Sequence, residues 1–176
     1  MKAALVLSHS SSVAVHFGFP CNTNEKFPDE TDGPPGAMAI CKALNALGKK
    51  VTCIASSYHV ELVRELVLKF LGNEVSVVEF IPARTHGGPD GVRKAAEEFL
   101  FHDGANQASP KFDALVAIEA TARTEQGGYM TMEGRNLFDV CKDSPVDELF
   151  IQGAYNNTVQ NKKIIFFAAE MHDLKR

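Results

Sequence analysis

The sequence has none of the short signatures that settle a chemistry by themselves. Its four cysteines, Cys21, Cys41, Cys53 and Cys141, form no CxxC pair, and its six histidines, His9, His16, His59, His86, His102 and His172, fall into no HExxH or other ligand spacing. A zinc centre is therefore poorly supported. Widely spaced, with three of the four in segments that read as strand or helix, the cysteines read instead as buried free thiols in a reducing compartment. There is no GxxxxGK[ST] stretch, which argues against a P-loop, and Ser8 and Ser10 to Ser12 make no GxSxG elbow of an α/β-hydrolase. No apolar run approaches the ~20 residues a spanning helix needs. The opening MKAALVLSHSSS has too short an apolar stretch for a secretory signal and is not Arg-rich like a transit peptide, so no import signal is readable in it. Basic charge is also in short supply. A net charge of -4 and a pI near 5.9 provide no field for phosphate backbones, so nucleic acid is not an expected partner and any anion must be captured locally.

What is present is one domain's worth of core: 176 residues, 45% hydrophobic and 23% charged. VAVHF, from Val13 to Phe17, is a β-branched run ending in Gly18, and KKVTCIAS, EVSVVEFI and FDALVAIE supply three more. Short apolar runs without polar alternation suit strands covered on both faces, as in a parallel sheet. Between them lie helical spacings: Ala37, Ile40, Leu44 and Leu47 closed by Gly48, then Val60, Val63, Val67 and Phe70 closed by Gly72. A third pattern has Asp90 as cap, then Val92, Ala95, Ala96 and Phe99, with Gly104 beyond. Strand and helix in alternation predict an α/β fold of right-handed βαβ crossovers. Repeats, low-complexity tracts and dividing linkers are absent from the sequence.

In open α/β sheets the loops after strand C-termini carry the ligands. Two long polar loops, PCNTNEKFPDETDGPP and ARTHGGPDG, are thus the first places to look. In the former, Pro35 suits the first helical position, and Gly36 and Ala37 leave N-H groups open to an anion at a helix start. Asp29, Glu30 and Asp32 would repel a plain anion there. An amino acid resolves the conflict, its carboxylate against the N-H groups and its ammonium against Glu30 or Asp32. The bland alternative is that Asp32 or Thr31 merely caps the helix and the other acids are solvated. A dinucleotide site is a poor rival, because no GxGxxG occurs and the second strand ends Ala55, Ser56, Ser57 where a ribose-binding acid would stand.

Glu119 ends the fourth apolar run, so a parallel strand delivers its carboxylate to the C-terminal edge, with Arg123 following in the loop; a catalytic pair and a structural ion pair both fit. Gly127 and Gly128 mark a tight loop, and Arg135 beyond it is a second candidate for carboxylate binding. His16 lies inside a predicted strand and reads as a core or edge residue. His86, among glycines, is the likelier histidine to meet a ligand.

One stretch is more specific than any of these features. HFGFPCNTNEKFPDETDGPPGAMAICKALNALGKKVT resembles the first βαβ unit of the D-glutamate cyclase family, with Glu30 to Ala37 matching its ETDGPPGA loop without a gap. FDALVAIEATARTEQGGYMTMEGRNL is similar to that family's strand ending in IE, then an Arg, then a G-Y-x-x-M-x-G segment, and SPVDELF resembles what comes next. The resemblance implies a Rossmann-like three-layer α/β fold with a mostly parallel sheet, the conversion of D-glutamate to 5-oxo-D-proline and water, and a mitochondrial matrix location, with cytosol the alternative. On that chemistry Glu30 or Asp32 holds the ammonium and Glu119 serves as base and then acid. Thr31, Gly33, Gly36, Ala37, Arg123 and Arg135 surround the substrate. A divalent cation, Mn or Mg, on Asp32 and Glu119 would act as Lewis acid, and no nucleotide cofactor is expected.

After about Gln152 the sequence departs from the family, whose members continue into a strand and a GDGGNE-type loop. The expected organisation is a partial cyclase-like domain, residues 1–152, and a divergent tail, 153–176, with little turnover from this form. Within that tail KKIIFFAA, Lys162 to Ala169, is β-prone enough to add a strand at the vacated edge. A non-catalytic amino acid or nucleotide binding module is the competing reading.

Overall fold

The computed structural model describes residues 2–26, 28–82, 88–102, 109–160 and 165–169, with residues 2, 156–160 and 165–169 described through their backbone. An N-terminal helix, α1 (Lys2–His9), leads into β1 (Ser12–Gly18), then α2 (Gly33–Ala46), β2 (Lys50–Ala55), α3 (Val60–Leu71) and β3 (Ser76–Glu79). The chain continues through α4 (Gly88–Leu100), β4 (Ala114–Ala120), the short α5 (Phe138–Cys141), α6 (Asp147–Gln160) and β5 (Ile165–Ala169). The strands form one sheet in the order β3-β2-β1-β4-β5, and every neighbouring pair is parallel.

Strand alternation explains the layers. On β1, Val13, Val15 and Phe17 point to the face covered by α2 and α3, where they meet Ala37, Cys41, Leu44, Val63 and Val67 in one apolar core. Ala14 points the other way, into a second core with Ile54, Ala96, Leu100, Leu115 and Leu149 from the side of α4 and α6. With helices on both faces the central strands are mainly apolar, and burying each large apolar side chain contributes about 1.5–3 kcal/mol. The result is a Rossmann-like three-layer fold. The chain leaves β1 toward β2 on one side and returns as β4 on the other, so the crevice between the C-terminal ends of β1 and β4 is the switch point where such sheets bind ligands.

All four expected runs are strands, and KKIIFFAA contributes a fifth, pairing Ala114 to Ile118 with Ile165 to Ala169 along the outer edge of β4. Two helix starts differ from the sequence expectation. α2 begins at Gly33 rather than Pro35, with Asp32 as its cap and both prolines in the first turn, where a missing N-H is harmless. α4 begins at Gly88, so Asp90 lies inside its first turn instead of capping it, and part of the polar ARTHGGPDG segment is helix. His86 and Gly104 lie outside the described residues. α6 runs without a break across residues 152 and 153. The four cysteines are free, three buried and Cys21 half-buried.

Candidate functional site

Glu119 occupies the last turn of β4 in an unusual way. The pairing of β4 with β1 slips here: Phe17 lies opposite Ile118, but Gly18 lies opposite Ala120, leaving Glu119 as the extra residue of a β-bulge. Its φ is +46°, and it is the sole non-glycine with positive φ among the described residues. Such a conformation costs on the order of 1 kcal/mol in a residue with a Cβ and clusters at functional positions. The bulge turns the side chain toward the start of α2. A Cβ added to Gly33 would sit 2.9 Å from Glu119 Cβ and 3.3 Å from its Cγ, so the absent side chain at Gly33 is what lets helix and strand end approach. The PCNTNEKFPDETDGPP loop and the end of β4 that bears Glu119 therefore meet at the C-terminal edge.

The loop from β1 to α2 folds back on the strand end. Pro20 bridges to Asp29, Asn22 N donates to Pro28 O at 3.0 Å, and Glu30 N donates to Phe19 O at 2.9 Å. This hairpin turns Asp29 inward, leaves Glu30 half-buried and exposes Thr31 and Asp32. Asp32 Oδ1 accepts from Gly33 N at 3.1 Å, the capping role weighed above. Gly36 faces open space, whereas Ala37 is fully buried in the core.

Arg135 approaches the same loop from the other side. The segment after β4 forms a tight turn, with Thr131 N donating to Arg135 O at 2.9 Å and Met130 bridging Asn136. Arg135 Nη1 donates to Cys21 O at 3.0 Å. Glu30 and Arg135 thus line one polar cleft of about 240 Å³ together with Phe19, Cys21, Asn22 and Thr131. Burial first, then the Glu30 carboxylate, pushes the Cys21 thiol up from its ordinary range, so it stays protonated in that cleft. On the outer side of the loop, Asp29, Glu30 and Pro34 border a cavity of about 580 Å³ whose walls are mainly apolar, including Met38, Leu66 and Phe70. Neither cavity includes Glu119 or Arg123 in its wall.

Arg123 does bind carboxylates, but they are the chain's own. Its Nε donates to Asp147 Oδ2 at 2.6 Å and its Nη2 to Glu148 Oε2, while Tyr129 OH donates to Asp147 Oδ1 at 2.7 Å. Burial opposes the guanidinium's charge, yet Asp147 and Glu148 outweigh it and hold its pKa above the ordinary value. The sequence assigned Arg123 to a substrate carboxylate; the structure spends it on fastening the start of α6 to the segment after β4.

A buried polar cluster under the site loop went unnoticed in the sequence. His59, the residue before α3, is 1% exposed and its Nδ1 lies 3.6 Å from Asp29 Oδ2, itself 3% exposed. His16 from β1 stacks on His59 at 5.9 Å, and its Nδ1 bonds Ile54 O at 3.0 Å. Burial pushes Asp29 up to about 7 and lowers His16 to about 4; burial and then His16 hold His59 well below its ordinary value. The separation is within ion-pair range but too long for a hydrogen bond, and both groups lose more by desolvation than they gain from each other, so just below pH 7 the neutral pair is favoured. The sequence signal was Asp29 preceding the matched ETDG motif; nothing local marked His59 as its neighbour.

The expected cation ligands Asp32 and Glu119 come from the cap of α2 and the end of β4, the two segments that meet. Among the described residues no three His, Cys, Asp or Glu side chains converge to hold a metal ion. The pair by itself is not a fitted cation site, and no step below is routed through a metal.

A Rossmann-like domain with acid-bearing loops gathered at the switch point of its sheet is the class that fold and site define. The family model described as D-glutamate cyclase-like, C-terminal, matches residues 1–164, and the chain belongs to this family. It is 38% identical over 151 residues to the human protein named D-glutamate cyclase, mitochondrial. That match covers 86% of this chain and 24% of the human protein, so the chain spans about a quarter of that relative's length. No helix among the described residues is long and apolar enough to cross a membrane.

Proposed function

We propose that this domain binds D-glutamate and converts it to 5-oxo-D-proline and water. The observation that carries the reading is the cleft in which Glu30, from the family-matched loop, and Arg135 stand together. An amino acid zwitterion needs an anion and a cation at one place: Arg135 takes the α-carboxylate by charge-assisted hydrogen bonds, and Glu30, with Asp32 beyond it, takes the ammonium. Gly33, where α2 begins, brings the same loop against Glu119, and Thr31 and Gly36 are assigned to the substrate with it. The amino nitrogen loses a proton, bonds to the γ-carboxyl carbon, and one γ-oxygen departs with two protons as water. Glu119 is the residue assigned to accept the first proton and return it to the leaving oxygen. Its left-handed backbone on a bulge supports a role that depends on where the carboxylate points.

Incubation of the purified chain with D-glutamate, followed by chiral separation of products, tests the proposal; 5-oxo-D-proline must form and the L-enantiomer must not. The same assay with and without a chelator reads any contribution of Mn or Mg. Binding of D-glutamate without product supports the second reading, a non-catalytic amino acid or nucleotide binding module. The name of the human relative supports a mitochondrial location, read by fractionation of cells expressing the protein.

A further inference from the structure

We propose that Asp29 and His59 are a positioning pair that pins the substrate loop, Glu30 to Asp32, to the end of β1. The inference rests on the reading of that loop as the ligand-binding one. Three observations carry it. First, the pair is almost entirely enclosed, and among the described residues neither Asp29 Oδ1 nor His59 Nδ1 has a hydrogen-bond partner. Buried polar atoms left this way are rare and call for a structural or functional reason. Second, space for them is cleared deliberately. Gly18 has φ +115°, and a Cβ there would lie 2.6 Å from Asp29 Oδ1 and 3.1 Å from His59 Cε1. Third, the backbone on either side of Asp29 carries the bonds that set the loop: its bridge to Pro20 and the Glu30 N donation to Phe19 O.

His59 is fixed in one tautomer. Ser56 N donates to its Nε2 at 3.4 Å, which makes that nitrogen the acceptor and puts the proton of the neutral ring on Nδ1, facing Asp29. Tyr58 packs edge-on against the ring at 4.5 Å and the Phe17 ring stacks at 6.2 Å, so His59 cannot turn away. Asp29 is faced by His59 and Tyr58 from the turn before α3, by Cys21 from its own loop and by Cys141 from α5; none of these is a cation at neutral pH. His16 from β1 stands behind His59, with Asp147 of α6 facing it. A protonated Asp29 fits this pocket. An ionised one is an uncompensated buried charge, and swinging the loop outward is the way to hydrate it. Asp29 therefore acts through Glu30 and Asp32 and does not itself touch substrate.

Hydrogen exchange at the Glu30 amide, corrected for its intrinsic pH dependence, tests this on the full chain without ligand. Protection should fall about tenfold between pH 6 and pH 8, the range across which Asp29 loses its proton. Asp29→Asn, which keeps the shape and stays neutral, should hold the pH 6 protection throughout. Asp29→Ala should lose it at every pH while far-ultraviolet dichroism stays native. D-Glutamate affinity should track protection in all three proteins. Equal protection in the wild type and Asp29→Asn at pH 8 overturns the proposal, as does an Asp29→Asn protein in which the tenfold fall persists. Exchange that behaves as expected in a chain without D-glutamate affinity keeps the positioning pair and removes the substrate.

Discussion

At the scale of single residues, the bulge at Glu119 and the closeness of Gly33 bring the start of α2 against the end of β4. Replacing Glu119 by Gln keeps side-chain shape but removes the group that exchanges a proton. If Glu119 is the base and acid of the cyclisation, turnover should fall ~10²- to 10⁴-fold with D-glutamate affinity little changed. Steady-state kinetics with separate binding measurements decide this, and unchanged turnover reduces Glu119 to a structural acid. Gly33→Ala probes the partner surface. The new methyl would stand 2.9 Å from Glu119 Cβ, so either α2 or the bulge must move. We expect a loss of about 1–3 kcal/mol in urea denaturation, as for other overpacked contacts, together with weaker D-glutamate binding. A variant as stable and as tight as wild type would show that the strand end yields freely. The sequence identified both residues as candidates but for unrelated reasons, a strand-end acid and a motif glycine. Their contact depends on a register slip between β1 and β4, which leaves no mark in a one-dimensional pattern.

At the scale of elements, the strands and the helix faces were legible because each repeats a simple period, and Gly48 and Gly72 stop their helices with φ of +72° and +70°. Helix starts were harder to place. Pro35 suits a first helical position so well that the two residues before it go uncounted, although Asp32 caps Gly33, and Gly88 to Gly91 carry too little apolar pattern to announce α4. Arg123 shows the same limit for the site: its charge was noticed, but its partners lie 24 and 25 residues further on, in a helix whose approach to β4 is a tertiary event. That network has a testable weight. Asp147 and Glu148 are 4% and 10% exposed at their side chains, and truncating the cation strands both. Arg123→Met should therefore destabilise the chain by about 3–5 kcal/mol, the usual result of leaving buried charge unpaired. Chemical denaturation measures it, and amides of α6 should lose protection before those of β1. A loss under 1 kcal/mol would mean that the bridge is a surface ornament and that Arg123 is available to a ligand after all.

At the scale of the whole molecule, the buried titratable groups give stability a dependence on pH whose sign follows from their shifts. His16 and His59 have lowered pKa values in the fold, so between their folded values and about 6.5 the unfolded chain binds protons there that the folded chain does not. Each contributes stability that grows with pH across that window. Asp29 works the other way. Its raised pKa means that the folded chain holds a proton the unfolded chain has released above about 4, and this contribution is lost as pH rises toward about 7. Two histidines against one acid leave about one net proton taken up on unfolding, so between pH 5 and 6 these groups should make stability rise by ~1.4 kcal/mol per pH unit. The rise should end near pH 6.5, where the histidines of the unfolded chain are themselves neutral. At the alkaline end burial holds the Tyr58 hydroxyl well above its ordinary range and pushes the Cys141 thiol up to about 12, so stability should fall again beyond pH 9. Asp29→Asn removes the opposing term alone. Its slope between pH 5 and 6 should approach two protons, ~2.7 kcal/mol per unit, and its maximum should be broader than that of the wild type. Urea denaturation in half-unit steps of pH reads both slopes. A wild-type slope equal to that of Asp29→Asn would mean that Asp29 ionises in the fold as it does in the open chain, and a slope of opposite sign would mean that the histidines are charged in the core.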